Sequence, residues 1–167
     1  MAINDQGNLM PSDITEQEIA ILLAKNDALI LKDAVGVEID YENKTFTRTY
    51  EAANYNAGAD FNKYSMYGGR TRCIVNNEGR ILSFYGDSTY DESQGQVMVY
   101  QPKFYYQRVP LKTVNGTIGK IIKKESIVIS PTEQTGLKLH PLFKAPNGTE
   151  LEYVLLPAYD GGVYITS

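Results

Sequence analysis

The chain has 167 residues, 43% hydrophobic and 22% charged, with 16 Lys and Arg against 20 Asp and Glu, for a net charge of -4. It is long enough to bury a core of its own, which excludes a disulfide-framed miniprotein and a coil of low hydrophobicity. The acidic balance argues against a general nucleic-acid binder, and a single cysteine, Cys73, with a single histidine, His140, excludes an intrachain disulfide and a zinc site of Cys and His alone.

Met1 to Ser12 is polar and aperiodic, with Gly7, Asn8 and Pro11, and is expected as an extended arm. It does not read as a signal peptide. Thr15 to about Asp33 is the best helix in the chain. Thr15 and Glu18 make a capping box, and Ile14 and Ile19 take the staple positions. Ile19, Leu22, Asn26 and Leu29 follow a three-four-three spacing, while Ile21, Leu23 and Ile30 widen the apolar face. Two readings stay open: an amphipathic helix packed on its own domain, or a short oligomerisation helix in which Asn26 fixes register.

From Val35 the texture changes. Val35, Val37 and Ile39 alternate with polar or small residues, and Thr45 to Tyr50 follows a turn at 42–44, so two strands are expected. Ala52 to Tyr67 has no clean period and is expected as a loop with at most one helical turn. Thr71 to Val75 and Arg80 to Tyr85 flank 76–79 as a hairpin, with Gly79 left-handed. Gly86 to Gln94 is a polar loop. Gln96 to Tyr100 and Lys103 to Val109 are strand-like around Pro102. Gly119 to Ser130 is a strand ended by Pro131, and Leu137 to Leu139 and Tyr153 to Leu156 are two short strands. No apolar run reaches the ~20 residues that span a bilayer, so no membrane insertion is expected. The fold expected is mainly β with an N-terminal α-helix, as an antiparallel sandwich or a lectin-like mixed sheet. Residues 1–34 would form an arm and anchoring helix, and 35–167 a β-rich body.

Tryptophan is absent, yet there are 13 tyrosines, all beyond residue 40. Tyrosine offers a large rigid surface with a polar tip, suited to protein interfaces and to sugar stacking. Tyr85, Tyr90, Tyr100, Tyr105 and Tyr106 cluster in sequence near Gly68, Gly69 and Gly86, which permit positive φ. Strand alternation makes Phe104 and Tyr106 core, while Tyr90, in a polar loop, and Tyr85 are candidate contacts. Arg70 and Arg72 alternate and would share a face, either pairing with Asp87 or Asp91 or meeting an anionic polymer. Lys120, Lys123 and Lys124 read as a solvated edge. His140, between Leu139 and Pro141, reads as structural, and Cys73 as a small buried hydrophobe. Asp87, Asp91 and Glu92 lack an EF-hand pattern. No catalytic residue, metal site or cofactor is expected.

Five blocks, in order, carry a family likeness: Tyr67-Gly68-Gly69-Arg70-Thr71-Arg72-Cys73; Phe84-Tyr85-Gly86-Asp87-Ser88; Gly95-Gln96-Val97-Met98-Val99-Tyr100-Gln101-Pro102-Lys103-Phe104-Tyr105-Tyr106; Gly136-Leu137-Lys138-Leu139-His140-Pro141; and Ala158-Tyr159-Asp160-Gly161-Gly162-Val163-Tyr164. Together they resemble the shared part of fibre-type structural proteins of tailed bacteriophages and prophages. In longer members this segment leads into a domain of the C-type lectin or formylglycine-generating-enzyme type. The resemblance implies a virion component assembled in the host bacterial cytoplasm: a tail fibre, a baseplate or receptor-binding protein, or a head fibre, without enzymatic activity. It implies other virion proteins as partners, a homo-oligomer with a trimer favoured, and a host cell-surface glycan as an alternative ligand. With the sequence ending just after the fifth block, a connector or decoration role gains weight.

Overall fold

Val35, Val37 and Ile39 place their side chains on one side of β1 (Val35–Asp40), and Thr45–Tyr50 returns beside it as β2, Val35 opposite Tyr50 and Asp40 opposite Thr45. Asp40 makes the turn: its carboxylate accepts from the amides of Glu42 (3.0 Å) and Asn43 (2.9 Å). Lys44 then takes a positive φ of 54°. The computed structural model describes residues 31–159. The helix expected at 15–33, with Ile19, Leu22, Asn26 and Leu29, therefore lies outside the described residues except for its last three positions. Leu31–Asp33 are not helical, and Asp33 has φ of 53°.

Residues 31–55 with 105–138 form one compact unit, and 56–104 with 139–159 a second. The first is built on a five-stranded antiparallel sheet in the order β2-β1-β7-β6-β8, where β6 is Tyr105–Gly116, β7 is Gly119–Ser130 and β8 is Lys138–Leu139. β6 runs past the expected end at Val109 and begins at Tyr105 rather than Lys103. It carries Pro110, which has no amide to donate, where the pairing with β7 shifts register. On the face of Tyr105, Val109 and Val128 these side chains are buried, together with Ser130. This reverses the expected phase: Tyr105 is core, whereas Phe104 and Tyr106 are only half-buried. The strand starts after a break at 103–104, so the pleat is set by Tyr105 opposite Ser130 and not by the local aromatic run.

The second unit holds a four-stranded antiparallel sheet in the order β4-β3-β5-β9, with β3 Thr71–Val75, β4 Ile81–Phe84, β5 Gln96–Pro102 and β9 Tyr153–Pro157. Cys73 and Ile74 are fully buried. The β3–β4 turn has the expected form: Asn76 Oδ1 accepts from the amides of Glu78 and Arg80, and Gly79 has φ of 79°. The stretch 51–68 has more helical character than one turn. It holds 3-10 segments at Glu51–Asn54 and Ala59–Phe61, and α1 (Ser65–Gly68), which buries Met66. Gln101 donates from Nε2 to the Met66 carbonyl (3.3 Å), tying α1 to β5. Gly68 and Gly69 serve close approach and not positive φ. A Cβ at Gly68 would stand 1.9 Å from the Asn62 carbonyl oxygen, and one at Gly69 would stand 2.5 Å from that of Ser65. His140 is structural: its Nδ1 accepts from the Leu142 amide (3.3 Å) and its ring lies 4.9 Å from that of Phe104. No helix among the described residues is long and apolar enough to cross a membrane.

Candidate contact surface

β3 carries Arg72 outward, opposite Val99 of β5. β4 ends at Phe84, and the Tyr85 amide donates to the Arg72 carbonyl (2.9 Å), which fixes Tyr85 beside the arginine. Gly86, with φ of 100°, turns the chain, and Asp87 holds the turn by accepting from the Phe84 amide (2.8 Å). Asp91 accepts from the amide and hydroxyl of Ser93 and so caps a 3-10 segment, Glu92–Gln94. Those amide and hydroxyl bonds hold the Asp91 carboxyl below its ordinary range. Asp87 and Asp91 are thus committed to the loop. Glu92 is left pointing at Arg72.

The result is one surface cluster within the second unit. Glu92 Oε1 accepts from the Tyr90 hydroxyl (3.0 Å), and Glu92 Oε2 from the Tyr159 hydroxyl (3.4 Å). Arg72 Nη1 lies 3.8 Å from Glu92 Oε1, and its guanidinium stands 5.8 Å from the centre of the Tyr159 ring, a cation–π contact. Tyr85 meets Tyr90 edge to face, with ring centres 5.3 Å apart. Tyr85 is 66% exposed and Tyr159 55%, so both rings present area to solvent. Partial burial, followed by the bond to Glu92, raises the Tyr90 phenol above its ordinary value, so it stays a hydrogen-bond donor at neutral pH.

Three of the four candidate contacts, Arg72, Tyr85 and Tyr90, therefore come together. Arg70 does not join them: β3 begins one residue later, so Arg70 is not on the strand that presents Arg72. The acidic partner of Arg72 is Glu92, where Asp87 or Asp91 was expected, because those two carboxylates are used by backbone amides. Tyr159 was not singled out by the sequence, although it stands in the fifth block. It lies 74 positions from Tyr85, and no local pattern links the two. Among the described residues no three His, Cys, Asp or Glu side chains stand close enough to hold a metal ion. The cluster pairs one cation with one anion and adds exposed ring faces, phenolic donors and a carboxylate acceptor. This is the chemistry of a contact surface for a polar, uncharged or charge-balanced partner. No family model, no curated protein and no solved structure matches the chain.

Proposed function

We propose that this chain is a bacteriophage virion structural protein, a fibre or fibre-base component that acts in attachment or particle assembly without enzymatic activity. The observation that carries the reading is how the five sequence blocks assemble. The first supplies β3, the second the end of β4 and its turn, the third β5, and the fifth begins just after β9. Arg72, Tyr85 and Tyr159, one from each of three blocks, meet in the exposed cluster. The first three blocks thus feed the four-stranded sheet, and the first, second and fifth meet at one surface, as a common docking element would require; the fourth supplies β8, and the end of the third opens β6, in the other sheet. A sandwich or lectin-like arrangement, an N-terminal oligomerisation helix and a homotrimer are the finer parts of this proposal. Immunogold labelling of intact particles of the encoding phage tests it: gold at the tail tip, neck or capsid is expected. Unlabelled particles, with the epitope accessible in the pure protein, would overturn it.

A host-surface glycan is the second reading. Exposed tyrosine rings beside a carboxylate and a guanidinium favour it, because sugars stack their C–H faces on rings and share hydroxyls with paired charges. Tyr90→Ala should abolish cell binding while leaving assembly intact, and unchanged binding would remove this reading.

A further inference from the structure

The β6–β7 hairpin outruns its sheet. β1 accompanies β7 only to Asp40 opposite Lys124, with a last bond from the Tyr41 amide to the Lys123 carbonyl (2.9 Å). From Thr113 opposite Ile122 to Gly116 opposite Gly119, the two strands pair with each other and β1 does not reach them. A bare two-stranded ribbon is marginal in water, and its turn is ordinarily polar. Here the turn presents Ile118, 98% exposed. Behind it Val114 and Ile121 sit opposite one another, 36% and 51% exposed. Gly116 leaves room for Ile121, whose Cδ1 would lie 2.8 Å from a Cβ there.

Charge surrounds this apolar tip. Lys112 and Lys124 at the ribbon's base pair with Glu42 and Glu38. Lys120 and Lys123, nearer the tip, have no acidic partner among the described residues. Residues 111–124 contain four lysines and no acid, so a chain of net charge -4 is left with -8 everywhere else. An apolar tip ringed by lysines is complementary to an acidic protein surface, and the rest of this same chain is acidic.

We propose that the ribbon is a docking arm for a second copy of this chain, with Ile118 seated in an apolar site on the neighbour's acidic surface and Lys120 and Lys123 meeting its carboxylates. Pairing ribbon on ribbon about a two-fold axis would oppose lysine to lysine. The contact therefore sets one copy's arm on the other copy's body, either reciprocally about a two-fold axis or head to tail in a ring or filament. It rests on the ribbon alone and stands whether or not the chain belongs to a virion.

Sedimentation equilibrium of the full chain tests it. Wild-type protein should associate with rising concentration, and added salt should weaken the association. Ile118→Asp should weaken it about tenfold or more, with an unchanged circular dichroism spectrum, since the side chain touches solvent. Lys120→Glu combined with Lys123→Glu should weaken it as well. A monomeric wild type would overturn the proposal, as would association that neither variant disturbs. Binding of a monomeric wild type to phosphatidylserine vesicles would reassign the arm to a lipid surface and equally overturn it.

Discussion

The two units use the same three side-chain types in opposite ways. In the first, Glu125 of β7 is 1% exposed; Arg108 approaches it through Nε and through Nη2 (3.1 Å), and the Tyr41 hydroxyl donates to it. In the second, Glu92 meets Arg72 at 3.8 Å and two tyrosine hydroxyls, but the carboxylate and guanidinium side chains are 45% and 49% exposed. Arg108, followed by the Tyr41 bond, holds the Glu125 carboxyl below its ordinary range against the opposing effect of burial. Glu125 in turn raises the Tyr41 phenol. Depth decides the role. A buried carboxylate must have its partners or the sheet fails, so the first trio is architecture. An exposed one can exchange its partners for those of a ligand, so the second is available for contact.

The largest expected effect breaks the first trio. Arg108→Ala should cost about 2–3 kcal/mol in chemical denaturation, below the range for a fully buried pair because the guanidinium is half exposed. The pH dependence has a definite sign. A carboxyl depressed on folding adds stability above its unfolded value near 4.5 and loses it as pH falls through the lower folded value. The melting temperature should therefore fall on acidification from about pH 5, and Glu125→Gln should flatten that part of the curve. Next, Gly68→Ala should destabilise by roughly 2 kcal/mol, because its Cβ would collide with backbone and no side chain can yield. The smallest effect on stability belongs to the surface. Arg72→Ala and Tyr85→Ala should each shift stability by less than about 1 kcal/mol, since an exposed ion pair contributes little. If Arg72→Ala cost as much as Arg108→Ala, the contrast between the trios would fail. If partner or glycan binding is lost while stability holds, the contrast sharpens.

Much of the strand content was legible because its signals are local. Alternation at Val35, Val37 and Ile39, the turn chemistry of Asn76 and Gly79, and the stop at Pro131 each act over a few residues, and β2, β3 and β7 have the expected bounds. The phase of Tyr105 was not legible, since it depends on which β7 residue lies across from it. Nor was the depth of Glu125. Its neighbours Lys123 and Lys124 suggest a solvated run, whereas its partners come from positions 41 and 108. The surface cluster was half visible: tyrosine abundance and the loop at 86–94 marked Tyr85 and Tyr90, but Glu92 and Tyr159 gained meaning only through contact.

By itself, the sequence determined where strands begin and turn, that β-structure dominates residues 35–159, and that tyrosine is concentrated there. Those properties follow from side-chain shape and backbone preference within a few residues. Only the tertiary structure decided which carboxylate is buried and which is open, that Arg72 takes Glu92, and that the long hairpin carries an apolar tip past its sheet. Each of these depends on the register between distant strands, which is set by the pairing of whole faces and leaves no local trace in the chain.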